Sequence, residues 1–186
     1  TRIGYGLNFG WAIEGAVGTS IKIDCSYLSP NVNLAARLES ATKMYGVSIL
    51  MSEYFVAKLS PSVRMGLRRV DVVCLKGSSI PMSIYTCDRS NALYCARAAM
   101  ARFGADRVVA EFQAVFERGL DHFVSGDWRT AHDALTAALE ICPQDTPAHR
   151  LMRHMDSRHN NPEYGLAEVP FCAPDDWPGY HVLLSK

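Results

Sequence analysis

Asn33 and Arg37 are the residues of this chain whose types and spacing point most directly to chemistry. They lie four residues apart in "SPNVNLAARLESATKMYG", residues 29–46, so a helix would place both in one row on its surface. An arginine side chain suits phosphate binding because its planar fork meets phosphate oxygens with two hydrogen bonds. The alternative is a solvated polar pair on an exposed helix face, which is the commoner case when such a pair is taken alone.

Other candidate sites are weaker. Gly15 and Gly18, followed by Thr and Ser, lack the lysine and the spacing of a phosphate-binding P-loop, so we expect a tight turn there. His149, His154 and His159 recur every fifth residue, which rotates successive rings by about 140° on a helix, so they share no face. The six cysteines form no CxxC pair and predict reduced thiols. We therefore predict no metal site within these residues.

A helix over residues 30–45 would position the polar pair. Ser29 can cap this helix, Pro30 suits its first position, and Gly46 can end it. The apolar stripe that faces the core recurs at i, i+4, i+7 and i+11. It consists of Leu34, Leu38, Ala41 and Tyr45.

Strand patterns surround that helix and predict an α+β fold. In residues 3–9, apolar side chains alternate with small or polar ones, which predicts a strand. The sequence "VSILM" at 47–51 predicts a short buried strand. "SEYFVAKL" predicts a brief helix that Ser52 caps, with Pro61 stopping the next turn. "RRVDVVCLKG" and "IPMSIYTC" predict two strands joined as a hairpin through residues 76–79.

After Asp88 the sequence turns to Ala-rich amphipathic helices, predicted over 90–103 and 106–124. The segment "GDWRTAHDALTAALEICPQD", with the residues before it, resembles a tetratricopeptide repeat in its small, aromatic and proline positions. Those positions are Gly119, Gly126, Trp128, Ala131, Leu135, Ala138 and Pro143. A second repeat could begin at 147–155. We predict three units: residues 1–88, an all-α repeat-like segment over 89–160 and an irregular tail over 161–186.

Composition excludes several classes of protein. The formal net charge is zero and there is no basic run, so a nucleic-acid partner is not expected. No apolar stretch approaches the ~18–20 residues of a membrane span, and we find no signal peptide. The chain begins in the middle of a strand-like pattern, which we interpret as part of a larger polypeptide.

Residues 1–88 resemble the class III adenylate and guanylate cyclases. The matching stretches are "GLNFGWAIEGAVG", "VNLAARLE", "YGVSILMSE" and "LKGSSIPMSIYTCD", and they stand in the family's order. The wording "IDCSYLSPNVN" resembles a variant found in protist and algal cyclases. The resemblance implies the C-terminal half of a cyclase domain, with a ferredoxin-like antiparallel sheet and helices. It also implies conversion of ATP or GTP to a 3′,5′-cyclic nucleotide and pyrophosphate.

The resemblance assigns a role to four positions. Asn33 matches the asparagine that orients the ribose, and Arg37 matches the arginine that stabilises charge on the phosphates. Lys76 matches the lysine that holds the terminal phosphates. Ser26, seven residues before the asparagine, matches the position that reads the base. A serine hydroxyl donates or accepts hydrogen bonds, so it does not decide between ATP and GTP.

The resemblance also implies partners outside this chain. Family members bind two metal ions, Mg²⁺ or Mn²⁺, through two aspartates, which we expect upstream of these residues. The active site is expected at the interface with a second cyclase domain, in a homo- or heterodimer, in the cytoplasm or on the cytosolic side of a membrane protein. The alternative is a catalytically inactive module whose repeat-like helices bind a protein partner in a large assembly such as a ciliary axoneme.

Overall fold

The computed structural model describes residues 3–76, 79–88, 104–159 and 172–183, which form an α+β fold. Its elements, in chain order, are β1 (Tyr5–Leu7), β2 (Ile13–Gly18), β3 (Ile23–Leu28), α1 (Pro30–Tyr45), β4 (Ile49–Ser52), α2 (Glu53–Val56), α3 (Pro61–Arg64), β5 (Leu67–Leu75), β6 (Met82–Cys87), α4 (Ala105–Ser125), α5 (Trp128–Ile141), α6 (Thr146–His159) and β7 (His181–Leu183).

Five strands form one mixed sheet in the order β1-β4-β6-β5-β7. The inner pairs, β4 with β6 and β6 with β5, are antiparallel, whereas β1 runs parallel to β4 and β7 parallel to β5. The expected antiparallel pairing is therefore confirmed for the inner strands and is wrong for the two edge strands, which both pair in parallel. A parallel pair requires a crossover, and α1 lies in the connection between β1 and β4.

Strands β2 and β3 form a separate two-stranded hairpin. The predicted tight turn at Gly15 and Gly18 was wrong, because both glycines lie within β2. The turn follows instead, closed by a 2.8 Å hydrogen bond from the Thr19 N–H to the Lys22 carbonyl. Gly18 is required there because a Cβ would lie 2.1 Å from the Lys22 carbonyl oxygen.

Helix α1 begins and ends as predicted. The Ser29 side chain accepts a hydrogen bond from the Asn31 N–H, and Gly46 ends the helix with φ 66°. Three of the four stripe residues are buried and the fourth, Leu34, packs at the edge of the same core. The helix lies directly on β1, since a Cβ on Gly6 would be 2.1 Å from the Ala35 carbonyl oxygen.

The predicted β5–β6 hairpin is confirmed by antiparallel pairing from Leu67 opposite Cys87 to Val73 opposite Met82. Residues 77 and 78 of its turn lie outside the described residues. Ser52 caps α2 as predicted, through a 3.2 Å bond from the Phe55 N–H. The expectation for Pro61 was wrong: it starts α3 rather than stopping a turn, because a proline has no N–H to satisfy at the first helical position.

Helices α4 and α5 form a tight helical hairpin, in which α4 matches the predicted span 106–124 to within one residue at each end. Gly126, with φ 88°, ends α4 and Asp127 caps α5. The two helices approach closely at Gly119, where a Cβ would lie 2.9 Å from the Leu135 side chain. The predicted helix over 90–103 lies outside the described residues. No helix in the described part of the chain has both the length and the apolarity to cross a bilayer.

A buried ion triad joins the helices to the sheet. The Arg68 guanidinium bonds Asp88 through two contacts of 2.8 and 3.0 Å and Asp145 through two of 3.2 and 2.8 Å. Phe112 and Phe116 of α4 pack against the same guanidinium, 4.7 and 4.2 Å from their ring centroids. Burial alone would lower the pKa of Arg68, but Asp145 and Asp88 raise it above its ordinary value.

The sequence predicted an irregular tail, but part of the tail forms a strand. Residues 181–183 form β7 and extend the sheet beside β5. Upstream of β7, the Trp177 indole donates a 3.1 Å hydrogen bond to the Phe123 carbonyl of α4. The tail strand was missed because three residues are too few to show a period of two.

Candidate functional site

A cavity of about 360 Å³ brings together three of the four predicted site residues. Asn33 and Arg37 face it from α1, and Lys76 faces it from the end of β5. The lining residues are Pro30, Asn31, Asn33, Leu34, Arg37, Tyr54, Lys76, Ile80 and Met82. The sequence did not identify Tyr54 or Asn31 as lining residues, because neither stands out by spacing.

The cavity is electropositive. Arg37 is half-buried and Lys76 is exposed, and neither side chain forms an ion pair with any residue that the structure describes. None of the described residues that line the cavity is an aspartate or a glutamate. Two positive charges therefore face this space without a carboxylate from the described part of the chain, which favours an anionic ligand. Asn33 is exposed beside them and can donate and accept hydrogen bonds.

The first turn of α1 is anchored to the segment between β1 and β2. The Ser29 hydroxyl donates a 2.6 Å bond to the Trp11 carbonyl, and the Asn31 amide donates a 3.0 Å bond to the same oxygen. The Asn8 amide donates to the Asn31 carbonyl at 3.3 Å, while its oxygen accepts a 2.6 Å bond from Ser52. This network fixes the helix end that carries Asn33. The sequence did not predict the roles of Asn8 and Asn31, because neither belongs to a periodic pattern.

Strand β7 supports the other side of the cavity. The Lys76 backbone N–H donates to the Leu183 carbonyl at 3.2 Å, one residue beyond the pairing of Leu75 with Leu183. This bond holds the end of β5 in place while the Lys76 side chain remains exposed. Leu183, more than a hundred positions from Lys76 in sequence, thus helps to position a candidate substrate-binding residue.

Ser26 is not brought to the cavity. It lies in β3, opposite Gly15 of the β2–β3 hairpin, and is half-buried there. The structure therefore brings Asn33, Arg37 and Lys76 together and leaves Ser26 apart.

The resemblance assigns the two metal ions to a pair of aspartates that we expect upstream of these residues. Within residues 3–76, 79–88, 104–159 and 172–183, no three histidine, cysteine, aspartate or glutamate side chains come together in a group that could hold a metal ion. Glu14 and Asp24 both lie in the exposed hairpin, and Asp24 pairs with Lys22 at 2.9 Å.

Part of the chain is similar in sequence to proteins named adenylate cyclase. The chain is 38% identical over 84 residues to the adenylate cyclase of Anabaena cylindrica, covering 45% of this chain and 17% of that protein. It is 36% identical over 83 residues to the terminal-differentiation-specific adenylate cyclase of Dictyostelium discoideum, covering 44% and 4%. It is 33% identical over 84 residues to adenylate cyclase 1 of Rhizobium meliloti, covering 45% and 12%.

The chain thus spans less than a fifth of the length of each of these relatives, and the similarity supports a cyclase domain within part of it. A bacterial light-regulated adenylyl cyclase of known structure shares 26% identity, with 46% of this chain and 23% of that one covered. Its TM-score of 0.39 is too low to establish a common fold. No protein-family model matches the chain.

Proposed function

We propose that residues 1–88 belong to a nucleotidyl cyclase and bind the ribose and phosphates of its substrate. The observation that carries this proposal is the single cavity shared by Asn33, Arg37 and Lys76, which come from distant parts of the sequence. ATP is the favoured substrate, because the relatives described above are named adenylate cyclases.

In this reaction the ribose 3′-oxygen loses its proton and bonds the α-phosphorus, and the bond from that phosphorus to the bridging oxygen of pyrophosphate breaks. Negative charge grows on the α-phosphate oxygens and on the departing pyrophosphate. Arg37 would offset the first charge and Lys76 the second, while Asn33 orients the ribose. Arg37 is half-buried, and a partly desolvated guanidinium offsets such charge more strongly than one in water.

Ser26 is proposed to read the base from a position apart from the cavity. Its hydroxyl can pair with the edge of either purine, so the choice between ATP and GTP depends on neighbouring groups. For the metal ions, Mg²⁺ or Mn²⁺, we propose aspartates outside the residues described here as ligands. When bound, these ions would supply positive charge that activates the nucleophile and offsets the charge of the phosphates.

A second cyclase domain is the proposed partner, in a homo- or heterodimer. The β2–β3 hairpin supports this, because it exposes an unusual number of large apolar side chains for a short element. These are Ile13, Val17, Ile23, Tyr27 and Leu28. The proposed substrate is an intracellular nucleotide, so we place the domain in the cytoplasm or on the cytosolic side of a membrane.

The second candidate function is a catalytically inactive module in a large assembly such as a cilium. The close contact of α4 with α5 at Gly119 favours it, because tetratricopeptide repeats use small residues in this way and bind protein partners. We propose the repeat-like helices as a protein-binding surface in either case. The two functions differ in whether the nucleotide is turned over.

Incubation of the full-length protein with ATP or GTP and Mn²⁺, with mass-spectrometric detection of the product, tests the proposal. We expect cyclic AMP from the wild-type protein and none from a variant with alanine at positions 33, 37 and 76, which controls for contaminating enzymes. Absence of both cyclic nucleotides from a folded wild-type protein would overturn the catalytic proposal and favour the scaffold.

A further inference from the structure

A second cavity, of about 410 Å³, lies between α6, the end of α1 and β7. Among the described residues, none lines both this cavity and the candidate nucleotide site. Its lining residues are Met44, Arg150, Arg153, His154, Ser157 and His181, and we call it the α6 pocket. Its volume is in the range of small-molecule sites.

The α6 pocket concentrates groups that suit an anion. Arg150, Arg153, His154 and Ser157 are spaced i, i+3, i+4 and i+7, so they share one face of α6. None of the described residues that line the pocket carries a carboxylate. Within the described ranges, neither arginine forms an ion pair.

Arg150 is held in place with one donor unused. Its guanidinium lies 5.0 Å from the Tyr45 ring centroid. Its Nε–H is buried and has no hydrogen-bond acceptor among the residues that the structure describes. The carboxylate behind the pocket, Asp71, already accepts from the Tyr45 hydroxyl at 2.5 Å and lies 2.8 Å from the His181 ring. A buried donor without an acceptor is unfavourable, so an acceptor entering the pocket would stabilise the fold.

We propose that the α6 pocket binds a phosphate group of a small molecule. The Ser157 hydroxyl already donates a 2.9 Å bond to the His154 carbonyl, and the His181 Nδ1 lies 2.8 Å from Asp71. The two guanidinium groups are therefore the main donors of the pocket, and they can bind several oxygens of a tetrahedral oxyanion at once, which a single chloride does not provide. The Arg150 donor is the group that such an oxyanion would satisfy. This site is independent of the proposed cyclase chemistry.

Calorimetric titration of the full-length protein with inorganic pyrophosphate tests the proposal. The titration is made in an Arg37→Gln/Lys76→Gln background, so that the candidate nucleotide site does not contribute. We expect saturable binding in that background and at least a tenfold loss of affinity on adding Arg153→Gln, an exposed position where folding should be unaffected. Arg129→Gln on α5 removes the same charge from an exposed position outside the pocket and should leave affinity within twofold.

Arg150→Lys provides a second variant, because it keeps the charge and the contact with Tyr45 but removes the fork. We expect it to weaken pyrophosphate binding at least fivefold, with a thermal melt that shows the folded state is retained. Failure of the Arg37→Gln/Lys76→Gln protein to bind pyrophosphate at millimolar concentration would overturn the proposal. If Arg153→Gln and Arg129→Gln lowered pyrophosphate affinity equally, the proposal would also be overturned, because binding would then depend on general surface charge rather than on the pocket.

Discussion

Replacing Arg68 by methionine should strongly destabilise the protein, because it removes the shared partner of two buried carboxylates. The Arg68 side chain is fully buried, and the side chains of Asp88 and Asp145 are only 5% and 7% exposed. Methionine is unbranched and uncharged, so it fills part of the same buried volume, although it loses the stacking of the guanidinium on Phe112 and Phe116. The variant therefore removes the ion triad while keeping an apolar side chain at this position.

The magnitude follows from the carboxylates left behind. Each loses two hydrogen bonds to the guanidinium, while Asp88 keeps a 3.1 Å bond from Gln113 and Asp145 keeps a 2.9 Å bond from the Ala148 N–H. Breaking a buried pair by removing one partner costs about 3–5 kcal/mol. With an m-value of about 2 kcal/mol/M, the urea midpoint should fall by about 1.5–2.5 M.

Urea unfolding followed by tryptophan fluorescence and far-ultraviolet circular dichroism measures this loss. Arg69→Met is the matched control, because the neighbouring arginine pairs with Asp121, whose side chain is 65% exposed, and such pairs contribute about 0–1 kcal/mol. Adding Asp88→Asn and Asp145→Asn to Arg68→Met should recover about 2 kcal/mol, because no buried charge then remains. An Arg68→Met variant as stable as Arg69→Met would refute the buried triad.

Three further predictions concern the cores. Leu38→Ala should reduce the free energy of unfolding by about 2–5 kcal/mol, since Leu38 is fully buried, and a neutral thermal melt would mean that α1 is rotated. Ala131→Trp should overpack the α4–α5 contact and cost about 1–3 kcal/mol in urea unfolding; a neutral result would place Ala131 at the surface. Burial, and then Asp71, raise the pKa of Tyr45, so its contribution to stability is present below pH 10 and is lost as the pH rises further. The stability lost in Tyr45→Phe at pH 7 should thus shrink above pH 10, and an unchanged difference would contradict the buried hydroxyl.

Local patterns allowed the sequence to predict the helix that carries the candidate site. Ser29, Pro30 and Gly46 mark its ends through chemistry that depends only on adjacent backbone, and the stripe through Leu38 and Tyr45 depends only on helical period. The β5–β6 hairpin could be predicted for the same reason. Both elements are defined by contacts that are close in sequence.

The elements that were missed depend on contacts distant in sequence. Strand β7 forms because three residues find the edge of β5 more than a hundred positions earlier, and Arg68 meets Asp145 across 77 positions. The position of Ser26 depends on how the β2–β3 hairpin leaves the sheet, which no local pattern encodes. The grouping of Asn33 with Lys76 was expected from the family resemblance rather than from periodicity.

Steady-state kinetics of Arg37→Ala in the full-length protein test the central claim most directly. If Arg37 offsets charge on the phosphates during ring closure, kcat for cyclic nucleotide formation should fall by about 10²-fold or more, with an unchanged thermal melt. Lys43→Ala, which removes an exposed charge from the last turn of the same helix, should leave kcat within about twofold. Equal turnover by the wild-type and Arg37→Ala proteins would contradict the assignment of this cavity as the active site.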